Sequence, residues 1–170
     1  MKVVLYMAIT PNGFVAKEND DTSWVSEVEW NSFRGMINHA GNMIIGRRTY
    51  EIMREANQFA GLEKIKVMVI TSKKLKDADR DIVFVKNPRE ALDVLEKQKF
   101  KEALVCGGGK LNGGFMKENL VDELYLDVEP TIFGNGIPLF GNADFEAKLE
   151  LLGTKKLSKE EIQLHYHVIR

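Results

Sequence analysis

ALVCGGGKL, residues 103–111, is the most informative local pattern of the chain. Residues 103–106 predict a buried strand and 110–119 a helix, so Gly107 to Gly109 form the turn between them. Glycines let the backbone approach a ligand closely, and the free N–H groups at a helix N-terminus suit a phosphate. Asn112 stands where a G-x-G-x-x-G fingerprint needs its last glycine, and the spacing of a Walker A loop is also absent. Taken alone, the segment is equally compatible with a purely structural turn.

Short apolar runs alternate with amphipathic stretches on both sides of this turn. Further strands are predicted at 3–9, 43–46, 66–70 and 82–85, and helices at 26–39, at 48–55 and from Pro88. This alternation favours an α/β fold with a mainly parallel sheet and helices on both faces. Only strands are predicted beyond residue 122, at 123–128, 147–156 and 162–169, and the last two form an antiparallel hairpin at the sheet edge. Residues 11–22 are predicted to be a polar loop.

Two further polar clusters directly follow predicted strands. Gly46-Arg47-Arg48-Thr49 follows the second strand, and Thr71-Ser72-Lys73-Lys74 follows the third. Arginine binds phosphate through bidentate hydrogen bonds, and hydroxyl and ammonium groups also suit it. Each cluster could instead be a solvated polar turn. Because a parallel sheet brings the carboxyl ends of its strands to one edge, where ligands bind, we expect all three clusters to lie together.

The composition excludes several classes of protein. A chain of 170 residues with 44% hydrophobic residues predicts one globular domain, 1–170, and the net charge of -1 lacks the basic field of a nucleic-acid binder. The single cysteine, Cys106, predicts no internal disulfide and no cysteine-based metal site. No apolar run is long enough to span a membrane. We therefore expect a cytoplasmic protein without metal, membrane or nucleic-acid partners.

Motifs over nearly the whole chain carry a resemblance to a known family. They are VLYMAITPNGFVA at 4–16, SWVS at 23–26, MIIGRRTY at 43–50, VITSK at 69–73, VCGGGKL at 105–111 and the segment 122–140. In this order they resemble the dihydrofolate reductase superfamily, and within it the RibD C-terminal group, the reductase domain of bacterial riboflavin biosynthesis. The resemblance implies a three-layer fold with a twisted, mainly parallel eight-stranded sheet and an antiparallel C-terminal edge.

The resemblance also implies NADPH as the cofactor. The two strand-end clusters would surround the adenosine end, where arginine selects the 2′-phosphate. The glycines would pass under the diphosphate and the nicotinamide, with a cis bond between two of them, and Ala8 would line the nicotinamide pocket. The implied cofactor-binding residues are Ala8, Gly46, Arg47, Arg48, Thr49, Thr71, Ser72, Lys73, Gly107, Gly108, Gly109, Lys110 and Leu111.

The substrate side is less well determined by the sequence. Dihydrofolate reductases carry a proton-donating carboxylate in the first helix, where Glu29 lies nearest, although an alignment without gaps from Gly46 puts Trp30 there. We prefer a capping-box interpretation, in which the Glu29 side chain bonds back to the N-cap Ser26. The candidate substrate contacts are Asn12, Asp20 and Trp24. Asn12 replaces the aspartate typical of riboflavin-type reductases, and the Asp-Asp-Pro segment that they carry after the second strand is absent.

Three functions stay open at this level. The first is an NADPH-dependent reductase of a small heterocyclic or aminopyrimidine-ribose substrate, similar to 5-amino-6-(5-phosphoribosylamino)uracil reductase. The alternatives are a dihydrofolate or pterin reductase and a non-catalytic nucleotide-binding module on the same fold. In each case a homodimer is expected, because the C-terminal hairpin leaves a sheet edge to be covered.

Overall fold

The structure is a computed structural model that describes residues 1–73, 75 and 82–170. Within these residues the chain forms ten strands and four helices. The strands are β1 (Lys2–Ile9), β2 (Phe14–Lys17), β3 (Asn42–Gly46), β4 (Lys66–Ile70), β5 (Ile82–Val85), β6 (Glu102–Val105), β7 (Glu123–Val128), β8 (Gly136–Pro138), β9 (Lys148–Lys156) and β10 (Ile162–Ile169). The helices are α1 (Glu27–Ala40), α2 (Arg47–Glu55), α3 (Pro88–Lys97) and α4 (Gly109–Lys117). The predicted elements agree with these bounds to within two residues.

Eight strands form one sheet in the order β5-β4-β3-β6-β1-β7-β10-β9. The pairs from β5 to β7 are parallel, whereas β10 runs antiparallel to both β7 and β9. The expected mainly parallel sheet with an antiparallel C-terminal edge is therefore confirmed. The order also makes β4, β3 and β6 neighbours, which places the three polar strand ends side by side.

Two apolar cores cover the faces of this sheet, because successive side chains of a strand point to opposite faces. Leu5 of β1 packs on the side of α3 and α4, with Leu95 and Phe115, and all three are fully buried. Val4 packs on the other side with Ile37 of α1 and with Met53 of α2. The three-layer arrangement is thus confirmed, and no helix of the described residues is long and apolar enough to cross a membrane.

The predicted loop at 11–22 is wrong in its middle. Phe14–Lys17 forms β2, which pairs antiparallel with β8 as a second, two-stranded sheet. These strands have four and three residues, and their pairing joins segments that are far apart in sequence. Short strands stabilised by so distant a partner leave little local pattern, which is why the sequence indicated only a loop.

Adjacent glycines of α4 allow a matched test of how closely this helix packs. A Cβ at Gly113 would lie 2.3 Å from the backbone oxygen of Phe140 and 2.6 Å from the Cβ of Ala143. Around a Cβ at Gly114, no atom of the described residues lies within 4 Å apart from its chain neighbours and its own helix backbone. We expect Gly113→Ala to lower the free energy of unfolding by about 1–3 kcal/mol, the usual cost of overpacking. Gly114→Ala should leave it unchanged or raise it, because alanine favours helix more than glycine does. Urea denaturation of the two variants checks this, and equal stabilities would contradict the packing.

Candidate active site

A cavity of about 710 Å³ opens where β4, β3 and β6 end. Its walls bring together residues from all three polar clusters and two residues of the loop before α1, Asp20 and Thr22. The predicted site residues that line it are Gly46, Arg47, Arg48, Thr49, Thr71, Ser72, Lys73, Gly108, Gly109, Lys110, Leu111 and Asp20. Lys74, which follows Lys73 in the third cluster, lies outside the described residues.

Two of the helices begin at the cavity without a side-chain cap. The N-cap of α2 is Gly46 and that of α4 is Gly108, so neither N-cap has a side chain that could accept from the first N–H groups of its helix. By contrast, Ser26 caps α1 and Asn87 caps α3 with side-chain oxygens. The first N–H groups of a helix need an acceptor, and the helix dipole favours an anion there. The two uncapped helix starts therefore suit the negative groups of a ligand in the cavity.

The three glycines differ in what surrounds them. The Gly107–Gly108 peptide is cis, and Gly107 has a φ of 86°. A Cβ at Gly107 would lie 2.7 Å from the sulfur of Met7, and one at Gly109 would lie 2.2 Å from the backbone oxygen of Pro138. At Gly108 the nearest atom to a Cβ is the Thr49 hydroxyl, at 3.6 Å. The positive φ thus requires glycine at 107 and the nearby backbone of Pro138 requires it at 109, whereas Gly108 keeps room beside its backbone for a ligand.

Carboxylates already neutralise both arginines at the start of α2. The Arg47 guanidinium pairs with Glu51 one turn along the helix. The Arg48 guanidinium donates from Nε to Asp20 Oδ2 at 2.8 Å and lies 3.8 Å from Glu51. The Arg48 side chain is 55% exposed, and solvent-accessible ion pairs are worth only about 0–1 kcal/mol. A phosphate can therefore displace these partners at small cost, and Asp20 lies at the phosphate-suited end of the cavity.

Thr71 stabilises the polar turn that follows β4. Its hydroxyl accepts a hydrogen bond from the backbone N–H of Lys73 at 3.0 Å, and its side chain is nearly buried. Ser72 and Lys73 are exposed at the rim of the cavity. The turn thus presents a hydroxyl and an ammonium group to the same space as Arg47 and Arg48.

Several predicted site residues lie away from the cavity. Ala8 and Gly107 are buried outside its lining, and Met7 lines it instead of Ala8. Asn12 donates from Nδ2 to the backbone oxygen of Phe133 at 2.9 Å. Trp24 packs edge-on against the Phe133 ring, with centroids 5.6 Å apart, and its Nε1 donates to a backbone oxygen. These contacts give Asn12 and Trp24 packing roles around Phe133.

The sequence did not single out part of the lining. Met7 and Ile137 lie beside the glycine turn, and Lys86 follows β5. Lys86 could have been found with the rule already applied, since it is a cation directly after a predicted strand. Ile137 lies in the motif segment 122–140 but belongs to the unpredicted β8, so no local pattern indicated it as a lining residue.

Glu29 is buried, and its side chain does not close a capping box. Ser26 caps α1 as predicted, with its hydroxyl accepting from the Glu29 N–H at 3.0 Å. The Ser26 N–H, however, donates to Glu129 at 3.0 Å, while the Glu29 carboxyl lies 3.0 Å from the Tyr6 hydroxyl. The preferred capping-box interpretation is therefore wrong, because a carboxylate at the end of β7 takes the backbone donor. Trp30, the alternative residue for this slot, packs against Phe33.

Burial changes the titration of Glu29. The side chain is 5% exposed, and this burial, opposed by the Tyr6 hydroxyl and reinforced by nearby carboxylates, raises its pKa to about 8. Glu29 does not line the cavity, whereas Cys106 does. Burial raises the pKa of the Cys106 thiol, and the charge of Glu29 raises it further. Glu29 is therefore a neutral acid at pH 7 beside the glycine end of the cavity. Among the described residues, no group of three or more His, Cys, Asp or Glu side chains could hold a metal ion.

The fold that places this cavity at the ends of three parallel strands occurs in known proteins. The family model of the RibD C-terminal domain matches residues 1–162. The chain belongs to the RibD C-terminal domain family. It is also 32% identical to the uncharacterized protein YwjB of Bacillus subtilis over 169 residues, which cover 97% of each chain.

Solved structures share the fold of this RibD C-terminal domain. A pyrimidine reductase-like protein from Corynebacterium diphtheriae matches with a TM-score of 0.78 and 16% identity over 99% of this chain and 92% of that one. A diaminohydroxyphosphoribosylaminopyrimidine deaminase/5-amino-6-(5-phosphoribosylamino)uracil reductase from Thermotoga maritima matches at 0.79 and 17% identity, over 99% of this chain and 56% of that one. Dihydrofolate reductase from Enterococcus faecalis, complexed with NADP(H), matches at 0.74 and 18% identity, with coverages of 98% and 96%.

Proposed function

We propose that this protein is an NADPH-dependent reductase of a small aminopyrimidine-ribose or related heterocyclic substrate. The observation that carries the proposal is the convergence of three phosphate-suited strand ends on one cavity, at which two helices begin without side-chain caps. The RibD C-terminal family, the reductase named for the Thermotoga maritima neighbour and the NADP(H) of the Enterococcus faecalis neighbour support it.

The lining of the cavity fits a dinucleotide with a 2′-phosphate. Arg47, Arg48 and Lys73 would hold the phosphate of the adenosine end, where two arginines and a lysine offer charge-assisted hydrogen bonds. The N–H groups at the start of α4 would hold the diphosphate, and Gly108 leaves the room that this needs. Met7 would bound the nicotinamide end.

When bound, NADPH would supply a hydride to an electrophilic carbon of the substrate. The protein would hold the two reactants in line, which removes much of the entropic barrier. Reduction of a C=N or C=O bond also consumes one proton. We propose Glu29 as its source, because its pKa of about 8 keeps a proton on the carboxyl at neutral pH. Since Glu29 does not line the cavity, a bound water would carry this proton to the substrate.

A panel of candidate substrates tests the proposal. Purified protein with NADPH is given 5-amino-6-(5-phosphoribosylamino)uracil, dihydrofolate, other pterins and small carbonyl compounds, and loss of the reduced nicotinamide absorbance is followed. We expect oxidation with the aminopyrimidine riboside above all others. Faster oxidation with dihydrofolate or a pterin would favour the pterin reductase. NADPH binding without oxidation by any compound would favour the non-catalytic nucleotide-binding module.

We also propose that the protein forms a homodimer through β9. Among the described residues this nine-residue strand pairs only with β10, and Leu149, Leu151 and Leu152 expose between 42% and 53% of their surface. A long exposed apolar edge is a surface that proteins usually cover. Light scattering should give twice the chain mass of 19.3 kDa, and Leu151→Glu should shift the protein towards the single chain mass. A wild-type protein of single chain mass would contradict the dimer.

A further inference from the structure

A buried polar cluster lies between α1 and the strands β1, β7 and β10, apart from the residues that line the cavity. We call it the Tyr6 cluster, and it comprises Tyr6, Glu29, Ser32, Asp127 and Gln163. Tyr6 and Asp127 are each 1% exposed, Glu29 is 5% and Gln163 is 8%. Buried polar groups need partners, so the hydrogen bonds of this cluster define where its protons lie.

The central feature is one hydroxyl placed between two carboxyl groups. The Tyr6 hydroxyl oxygen lies 2.6 Å from Asp127 Oδ2 and 3.0 Å from Glu29 Oε1. A phenol has a single proton and can donate it to only one of them. If both carboxyls were ionised, one of these close oxygen pairs would have no proton between its atoms. The geometry therefore requires a further proton on one of the two carboxyls.

The other contacts of the cluster decide which carboxyl carries that proton. Gln163 Nε2 donates to Asp127 Oδ1 at 2.8 Å, so Asp127 receives donors on both of its oxygens. Burial raises the pKa of Asp127, but hydrogen bonds from Tyr6, Ser32 and Gln163 oppose this. For Glu29, the hydrogen bond from the Tyr6 hydroxyl opposes the effect of burial on its pKa, but the charges of nearby carboxylates reinforce that effect. Asp127 is thus the better-solvated anion, and Glu29 holds the proton.

The surrounding charges act in the same direction. The titratable groups that face the cluster from the packed elements are Tyr6 on β1, Cys106 after β6, Asp127 on β7, Glu129 after β7, Glu161 before β10 and Lys155 on β9. The carboxylates among them raise the pKa of Glu29, whereas the ammonium of Lys155 lowers that of Asp127. Glu161 is 7% exposed, and its Oε2 has no hydrogen-bond partner among the described residues. Ionisation of Glu29 would thus add another negative charge to an already acidic interior.

We propose that Tyr6 and Asp127 are positioning residues that hold a proton on Glu29 through the chain Glu29–COOH to Tyr6–OH to Asp127 carboxylate. The use of this proton rests on the proposed function, in which a bound water carries it from Glu29 to the substrate. The proton's location does not rest on that function, because it follows from the contacts of the cluster in the protein alone.

Asp127→Asn tests the chain because it should reverse the direction of the hydrogen bonds. The oxygen of the introduced amide would still accept from Gln163, and its NH₂ group would donate to the Tyr6 oxygen. Tyr6 would then turn its own proton to Glu29, while a neighbouring negative charge is also lost. Both changes favour ionised Glu29, so the midpoint of its titration should fall by about one pH unit or more.

The measurement is a titration of carboxyl ¹³C signals in the full chain, without cofactor or substrate. The Glu29 signal is assigned by its loss in Glu29→Gln, and we expect a wild-type midpoint of about 8. Asp93→Asn is the matched control, since it removes the same charge from an exposed position on α3 and should leave the Glu29 midpoint unchanged.

Two results would overturn the proposal. One is a wild-type Glu29 midpoint near 4.5, the ordinary glutamate value, and the other is an Asp127→Asn midpoint equal to that of Asp93→Asn. If Asp127→Asn does not fold, the wild-type midpoint decides alone. Because no ligand is present, this outcome is independent of NADPH binding, and a protein that fails to bind NADPH would still give the titration.

Discussion

The Arg47→Ala, Arg48→Ala double variant is expected to bind NADPH at least about 100-fold more weakly than the wild type, because it loses two hydrogen bonds between charged groups, each of which contributes about 1.5–3 kcal/mol. Both guanidinium groups lie at the start of α2, in the cavity wall that also holds Thr71 and Lys73. NADH lacks the 2′-phosphate that they would bind. Its affinity should therefore change by no more than about threefold, which is within the effect of a general change in charge.

Arg170→Ala is the control for this pair. Arg170 is an exposed arginine that pairs with Asp122 and lies outside the cavity lining, so its loss should leave both affinities unchanged. Fluorescence titration of the three proteins with both dinucleotides gives the comparison. An equal loss of NADPH and NADH affinity in the double variant would mean that these arginines do not bind the 2′-phosphate.

The second large effect concerns stability against pH at Glu29. Its pKa rises from 4.5 to about 8 on folding, mainly through burial, so between these values the folded protein binds more protons than the unfolded chain. The free energy of unfolding must then fall as pH rises through this range, by at most about 1.4 kcal/mol per pH unit from this group. Glu29→Gln cannot ionise and resembles the protonated acid. Relative to the wild type, it should therefore become steadily more stable from pH 5 to pH 8.

Glu27→Gln provides the matched control, because Glu27 lies in the same first turn of α1 but is exposed. Denaturant unfolding of the three proteins at several pH values gives the differences, in which the contributions of other buried carboxyls largely cancel. Parallel stability curves for wild type and Glu29→Gln would show that Glu29 titrates alike in the folded and unfolded states.

The arrangement of the cavity wall could be predicted because each of its parts has a local signature. Polar residues directly after apolar strands are visible in sequence, and a parallel sheet places such ends on one edge. The structure brings Arg48, Ser72 and Gly108 to one cavity, since β4, β3 and β6 are neighbours. The order of these strands in the sheet was not predicted, because the local pattern does not encode which strands are neighbours.

The buried acid network could not be predicted in the same way. Ser26 and Glu29 have the spacing of a capping box, but the backbone donor at Ser26 is taken by Glu129, which is far away in sequence. The carboxyl of Glu29 instead contacts the buried Tyr6 hydroxyl, which also contacts Asp127. Such a choice between a local and a distant partner depends on packing, which local spacing does not encode.

The sequence also does not determine which side chains of β1 face the cavity. Ala8 was expected at the nicotinamide end, yet Met7 lines the cavity. Neighbouring side chains of a strand point to opposite faces, so a shift of one residue exchanges one face of the sheet for the other. In β1, both Met7 and Ala8 belong to a continuous apolar run, which gives no alternation from which to choose the face.

Calorimetric titration of the wild-type protein with NADPH and NADH shows whether the cavity binds a dinucleotide through its 2′-phosphate. We expect saturable binding of one NADPH per chain, at least about 30-fold tighter than NADH, because Arg47 and Arg48 together would contribute about 100-fold to NADPH and no more than about threefold to NADH. Equal affinity for the two dinucleotides, or no saturable binding of NADPH, would contradict the assignment of this cavity.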